Sequence, residues 1–362
     1  MGTRQGFVRG AVFGVWWAIL AWTGAPVSAQ ALGALIQVQG QPLSGGRVSG
    51  SAVVPLERAR GGDTPVLTFA TDLGPVRLLL DTGATSSMVR PELAVRLGLR
   101  PLPLAPGAFR LAGGGADCQT LQPQRLTLPP MRRAGLRLLG VEALVLPVAA
   151  LPAGVDGVLG APSLRLLPIR IDPTLGRIAL GAAALDQLPF PLSLSSSATP
   201  PAQSSAPRDP QPTAAATSRS RPQRVPLRWH RGVPLLQLRT SVGPVQALAD
   251  TGAEGLFLQP ALAARLRPLG PAQPLRLVGV CGEQRVERRL YAGLGLGPGS
   301  GGLAATPGSP SPGDGPAGVE GIVTDNPIFE QLGVEAILGQ ELLHRHRQLW
   351  RLDQARPELL LW

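Results

Sequence analysis

The chain has no lysine, so all 34 of its basic side chains are arginines. It has one tyrosine, two cysteines, three histidines and three methionines in 362 residues. Each shortage removes a class of reading. Two cysteines are too few for a structural zinc site, and His230, His344 and His346 stand at no ligand spacing from them. No metal and no cofactor is expected. Charged residues make up only 16% of the chain, which disfavours long solvated helices. The 46 glycines and 39 prolines cut any helix short. A mostly β chain follows. The formal net charge of +11 invites a nucleic-acid reading. The arginines are scattered, however, with no run of five or six like charges and no basic helix face. No nucleic-acid partner is expected, and the arginine-only bias fits codon composition as well as function.

The apolar run from Ala11 to about Gly24 is short for a membrane span, which needs roughly twenty residues. It follows Arg4 and Arg9 and precedes the small-residue site Val27-Ser28-Ala29, the layout of an export signal over residues 1–29. The expected location is periplasmic or secreted. An uncleaved N-terminal helix anchored in the membrane is the alternative.

What is present in abundance is self-similarity. A Ser/Pro/Ala-rich stretch, 193–224, reads as a linker between two related halves. Val54-Pro55-Leu56 is echoed by Val225-Pro226-Leu227. Gly74-Pro75-Val76 and Asp81-Thr82-Gly83-Ala84 recur 169 residues later as Gly243-Pro244-Val245 and Asp250-Thr251-Gly252-Ala253. Val155 to Gly160 aligns with Val334 to Gly339 at a larger offset, because the second half carries a Gly/Pro/Ser-rich loop over 297–318. The expected organisation is therefore the signal, an N-terminal segment 30–51, lobe 1 over 52–192, the linker, and lobe 2 over 225–362. Within each lobe a strand hairpin ends at the Asp, and a short Pro-initiated helix follows, near 90–97 and 259–266. Residues 109–128 and 275–290 are expected to form a second pair of hairpins.

One Asp-Thr-Gly is commonplace and reads as a turn after a strand. Two copies at equivalent places in a duplicated chain bring two carboxyls to one axis. Such a pair shares a proton and titrates as a unit. The ionised member then takes a proton from water while the protonated one donates to a carbonyl oxygen. Gly83 and Gly252 let backbone N–H groups approach the carboxyls, Thr82 and Thr251 are placed to bond across the axis, and Ala84 and Ala253 are small where crowding would part the pair.

An apolar strand, Asp-Thr-Gly, and a later apolar pair before Gly (Val158-Leu159-Gly160 and Ile337-Leu338-Gly339) resemble the pepsin and retropepsin superfamily of aspartic proteases. The Ala after each Asp-Thr-Gly and the absence of a flap tyrosine are similar to its retropepsin-like branch, as a fused bacterial unit. The resemblance implies two similar retropepsin-like β-barrel lobes related by a pseudo-twofold, with the active site at their interface. It implies Asp81 and Asp250 as catalytic residues, supported by Leu159, Gly160, Leu338 and Gly339. It also implies a peptide or protein substrate, and a monomer acting as an internal pseudo-dimer. The flap candidates are Gly113 and Gly114 in lobe 1, with Cys118 and Cys281 one in each hairpin. In an exported chain these two cysteines are expected either to tether the flaps as an inter-lobe disulfide or to stand unpaired. Glu254, where lobe 1 has Thr85, is expected at the surface. Residues 30–50 are expected to be too short for an inhibitory pro-segment. A catalytically silent module that binds peptides or cell-wall material is the alternative function.

Overall fold

The structure is a computed structural model and describes residues 28–30, 35–105, 109–113, 122–148, 150–186, 222–296 and 318–362. The signal up to residue 27, Gly114, Cys118, most of the linker and nearly all of the 297–318 loop lie outside the described residues.

The chain is mostly β, with a few helices of four to six residues. Strand propensity and alternation explain the local choices. Val76–Asp81 (VRLLLD) and Gly243–Ala249 (GPVQALA) are rich in aliphatic residues; the first follows Gly74-Pro75 and the second opens with Gly243-Pro244. Each pairs antiparallel with the preceding strand, Pro65–Phe69 in lobe 1 and Val233–Thr240 in lobe 2. The helices Pro91–Arg96 and Pro260–Ala263 begin at proline, whose missing N–H costs nothing in the first turn.

Each half builds one large sheet around its Asp strand. In lobe 1, Val76–Asp81 lies parallel to Gly157–Gly160, with Leu80 opposite Leu159 and Asp81 opposite Gly160. In lobe 2, Gly243–Ala249 lies parallel to Ala336–Leu338, with Leu248 opposite Ile337. The strands after the Asp loops, Ser87–Val89 and Leu256–Leu258, pair antiparallel with the other edge of these same support strands. A parallel neighbour buried on both faces reads as an unbroken apolar run, which is why both support segments are continuous aliphatics.

A six-stranded sheet joins the halves. Its order is Gln223–Pro226, Glu358–Leu361, Gln348–Arg351, Ile169–Asp172, Arg177–Leu180 and Ala52–Pro55. Equivalent strands of the two halves stand at equal distances from its centre, where Ile169 faces Trp350. Trp350 is fully buried there, and Arg170 and Arg347 lie against the Trp362 ring at 5.2 and 5.7 Å. His344 and His346 are half-buried.

One expected hairpin is not formed between the described strands, and its counterpart is present. Gln273–Gly279 and Gly282–Tyr291 pair across a tip at Val280-Cys281. In lobe 1, Arg110–Gly113 and Gln124–Thr127 are both strands but do not pair with each other: the second joins Glu142–Val145, and the first takes Leu35–Gln39 as partner. No helix among the described residues is long and apolar enough to cross a membrane.

Candidate active site

The two Asp-Thr-Gly loops meet, and their bonds are reciprocal. Thr82 N–H donates to Thr251 Oγ1 at 3.1 Å, and Thr251 N–H donates to Thr82 Oγ1 at 3.0 Å. Each hydroxyl then donates across the interface, Thr82 Oγ1 to the Ala249 carbonyl and Thr251 Oγ1 to the Leu80 carbonyl, both at 2.7 Å. A threonine hydroxyl carries one proton and accepts through its lone pairs, so each is fully used in this ring. Asp81 and Asp250 are held above it by their own loops. Gly83 N–H donates to Asp81 Oδ1 and Gly252 N–H to Asp250 Oδ1, both at 2.8 Å.

The glycines are required by the partner lobe. A Cβ on Gly83 would fall on the Asp250 carboxyl, and a Cβ on Gly252 on the Asp81 carboxyl. Gly160 and Gly339 are constrained in the same way: a Cβ there would strike the backbone of residues 84–86 and of 253–255. Leu159 and Leu338 are buried in one apolar cluster, and Ala84 and Ala253 are fully buried. Of the sequence-selected residues, Gly113 ends the strand paired with Leu35–Gln39. Cys281 is buried and disulfide-bonded, while Gly114 and Cys118 lie outside the described residues.

Both catalytic candidates are 0% exposed. Burial, then the charge of Asp250 and a hydrogen bond with it, raise Asp81 well above the ordinary carboxyl range. Burial also raises Asp250, but hydrogen bonds from Asp81 and from the backbone of Gly252 and Ala253 hold it to about 6. The Oδ2 atoms of both have no hydrogen-bond partner within the described protein. The pair therefore carries one shared proton across neutral pH, with two oxygens left to face a reacting group.

The lobes support this pair unequally. Asp250 Oδ1 accepts a further N–H, from Ala253 at 3.2 Å. Gln340 Nε2 donates to the Thr251 carbonyl at 2.8 Å from a buried position, where lobe 1 has Ala161. Ser87 Oγ accepts the Gly160 N–H at 3.1 Å, where lobe 2 has Leu256. Glu254 is not a free surface group. Its carboxylate accepts the Asp63 N–H at 2.8 Å, the Thr64 N–H at 3.0 Å and the Thr64 hydroxyl, all from lobe 1. A carboxylate facing three donors of a neighbouring lobe is held there by charge-assisted bonds.

Sequence reasoning judged the N-terminal segment too short for an inhibitory pro-segment and placed none of its residues at the site. The structure brings it to the site: Gln37 N–H donates to Thr85 Oγ1 at 2.7 Å, four residues past Asp81. The signal was available, since Ile36 to Gln39 alternates apolar and polar residues ahead of Gly40. A cavity of about 610 Å³ lined by Pro274, Leu275, Arg276, Glu283, Gln284 and Arg285 lies on the lobe 2 hairpin and holds neither aspartate.

Two similar β lobes sharing a reciprocal pair of Asp-Thr-Gly loops define an aspartic-protease fold. Residues 68–163 match the aspartyl protease family, which supports a place in the aspartic protease superfamily. Among solved structures it is similar to a retropepsin-like aspartic protease from Rickettsia conorii, at 15% identity and a TM-score of 0.25, over 37% of this chain and 93% of that one. It is also similar to Basic 7S globulin from soybean, at 12% identity and a TM-score of 0.38, over 86% of this chain and 94% of that one. Conglutin gamma, a unique basic 7S globulin from lupine seeds, is similar at 11% identity and a TM-score of 0.40, with the same coverage. Likenesses of this size say nothing about chemistry. No curated protein sequence matches the chain.

Proposed function

We propose that this chain is an aspartic-type endopeptidase that hydrolyses peptide bonds through a water activated by the Asp81/Asp250 dyad. The observation that carries this reading is the pair of buried carboxyls with raised pKa values and unpartnered Oδ2 atoms, set on reciprocally bonded loops. At neutral pH Asp250 is the carboxylate and takes a proton from water. Asp81 holds the shared proton and gives it to the scissile carbonyl oxygen as the water oxygen bonds to carbon. Collapse of the tetrahedral diol returns one proton to a carboxylate and delivers the other to the departing amine. The dyad ends with the single proton it began with. The threonine ring keeps the carboxyls apposed, so that little reorganisation accompanies the charge shift.

The export pattern of residues 1–29 supports an activity outside the cytoplasm, and two lobes on one chain are consistent with a monomer acting as an internal pseudo-dimer. The test is a mixed peptide library incubated with the wild type, Asp81→Asn and Asp250→Asn at pH 4 to 8. Cleavage confined to the wild type supports the dyad. Cleavage retained in both variants rejects it. Peptides bound but never cut by the wild type leave a binding module on the same fold.

A further inference from the structure

Four buried donors on one side of the six-stranded sheet have no hydrogen-bond acceptor among the described residues: Arg170 Nε, Nη1 and Nη2, and Trp362 Nε1. Successive residues of a strand point to opposite faces, and the two faces of this sheet differ. Ile169, Ile171, Ile178, Leu359 and Leu361 belong to the apolar cluster that also holds Leu80 and Leu338, on the side of the Asp strands. Ala179, Leu349 and Leu360 form a separate small cluster with Ala184, and Leu185 and Trp362 pack against it. Arg170 stands between Ile169 and Ile171 and is paired with Ala179 and Leu349. It therefore lies on the second face, turned away from the dyad.

The charges on this face do not balance. Arg170 is 3% exposed. Arg347 Nε lies 3.2 Å from Asp172 Oδ2, and Asp172 Oδ1 accepts the Leu175 N–H at 3.0 Å, so that carboxylate is already engaged. Arg177 pairs with Asp172 across the two strands. The charges acting on Arg170 are those of Arg347, Asp172 and Arg177, so three guanidiniums stand against one carboxylate, a net of 3 − 1 = +2. Burial first, then the charge of Arg347, hold Arg170 below the usual guanidinium range. A buried guanidinium whose donors find no acceptor is costly, and each such group in a folded protein calls for an explanation. Its planar fork of N–H groups matches the oxygens of one oxyanion, and the indole N–H adds a further donor. The edge of the cluster is open to solvent: the Arg347 side chain is 39% exposed and Trp362 is half-buried. Both lobes contribute. Arg170, Asp172 and Arg177 come from lobe 1, and Arg347 and Trp362 from lobe 2, where their backbones exchange hydrogen bonds of 3.2 and 3.0 Å.

We propose that this face of the joining sheet is a binding site for a phosphate-type oxyanion, whose oxygens accept from Arg170 while Arg347 and Arg177 balance the remaining charge and the Trp362 ring walls the site. The anion bonds residues of both lobes and so fastens one to the other. The site does not depend on the protease reading, and its test uses no substrate. Inorganic phosphate is titrated into the full chain by calorimetry at pH 8, with chloride holding the ionic strength constant. It is expected to bind one-to-one and to raise the thermal midpoint as its concentration increases, as mass action requires. Arg170→Met keeps an apolar stem and removes every donor, and is expected to weaken binding about ten-fold or more. Because Arg170 is buried, Arg177→Gln at the half-exposed rim serves as a second variant, expected to weaken binding about three-fold. Vesicles of phosphatidylglycerol in phosphatidylcholine separate the sources of the phosphate. Co-sedimentation that added inorganic phosphate displaces assigns a lipid headgroup. Binding of inorganic phosphate without co-sedimentation assigns a soluble ion. Failure of inorganic phosphate to bind the wild type, or an affinity unchanged in either variant, overturns the proposal.

Discussion

Residues 85 and 254 occupy the same place in the two lobes, and they hold different partners. Glu254 reaches across to the 62–64 loop of lobe 1 and fills its donors. Thr85 has the equivalent lobe 2 loop nearby, at Gly232, but its hydroxyl accepts the N–H of Gln37. One half of a duplicated device became a clasp between lobes, and the other became a seat for the N-terminal strand. The ring of Thr82 and Thr251, by contrast, kept its reciprocity. Symmetry survives where two identical loops must satisfy each other, and it is lost one turn further out, where each lobe meets something different.

The sharpest break of the comparison is at the dyad. Asp81→Asn and Asp250→Asn are each expected to lower hydrolysis by at least about a thousand-fold, since each removes one member of an acid–base pair. Comparable losses in steady-state assays mark a shared site, and a much smaller loss for either one assigns catalysis to the other lobe. Gly83→Ala and Gly252→Ala place a methyl on the opposing carboxyl and are expected to abolish activity as well, with a drop in thermal midpoint.

The titration separates the two halves next. Activity needs the singly protonated pair, so it is expected to fall as pH drops through about 6, where the Asp250 carboxylate is lost, and to fall again at higher pH as Asp81 ionises. A pH–rate profile peaking near pH 4 contradicts this order. Stability carries the opposite sign from a salt-bridged carboxylate. The folded pKa of Asp250 lies above its ordinary 3.8, so its contribution is fully present below that value and is lost as pH rises through about 6. Asp250→Asn is therefore expected to raise unfolding stability at pH 8, by roughly 2–3 kcal/mol for a shift of this size, and to leave it unchanged at pH 3. Urea titrations at the two pH values measure the difference.

The outer asymmetry is worth less. Glu254→Ala leaves the donors of residues 63 and 64 unfilled and is expected to cost about 2 kcal/mol in urea unfolding. Thr85→Ala removes the acceptor of the Gln37 N–H and is expected to cost about 1 kcal/mol, while loosening the N-terminal strand. If Thr85→Ala proves the more damaging of the two, the division between clasp and seat is wrong. Gln340→Ala, which frees the Thr251 carbonyl, is expected to cost about 1 kcal/mol and to lower turnover through the lobe 2 loop alone.

Much of the site was legible in the order of residues. The duplication showed that Asp81 and Asp250 are equivalent, and a continuous aliphatic run before Gly160 and Gly339 is the pattern of a doubly buried parallel neighbour. Pro91 and Pro260 marked where the short helices begin. The lobe 1 hairpin was misread because Arg110–Gly113 has strand character but carries no information about its partner, and among the described residues its edge is taken by Leu35–Gln39. Glu254 was misread because base rates for exposed glutamate ignore a loop that arrives from another lobe.

The sequence by itself determined which segments are strands, which residues repeat, and which chemistry two carboxyls at one axis can perform. These follow from local propensity, periodicity and the duplication. Only the tertiary structure decided which strands share an edge, that Gly83 and Gly252 are held to glycine by the opposite lobe's aspartate, and that Leu35–Gln39 pairs with Arg110–Gly113. Those outcomes depend on distances between residues far apart in the chain, and backbone edges accept any strand that reaches them first with the right register.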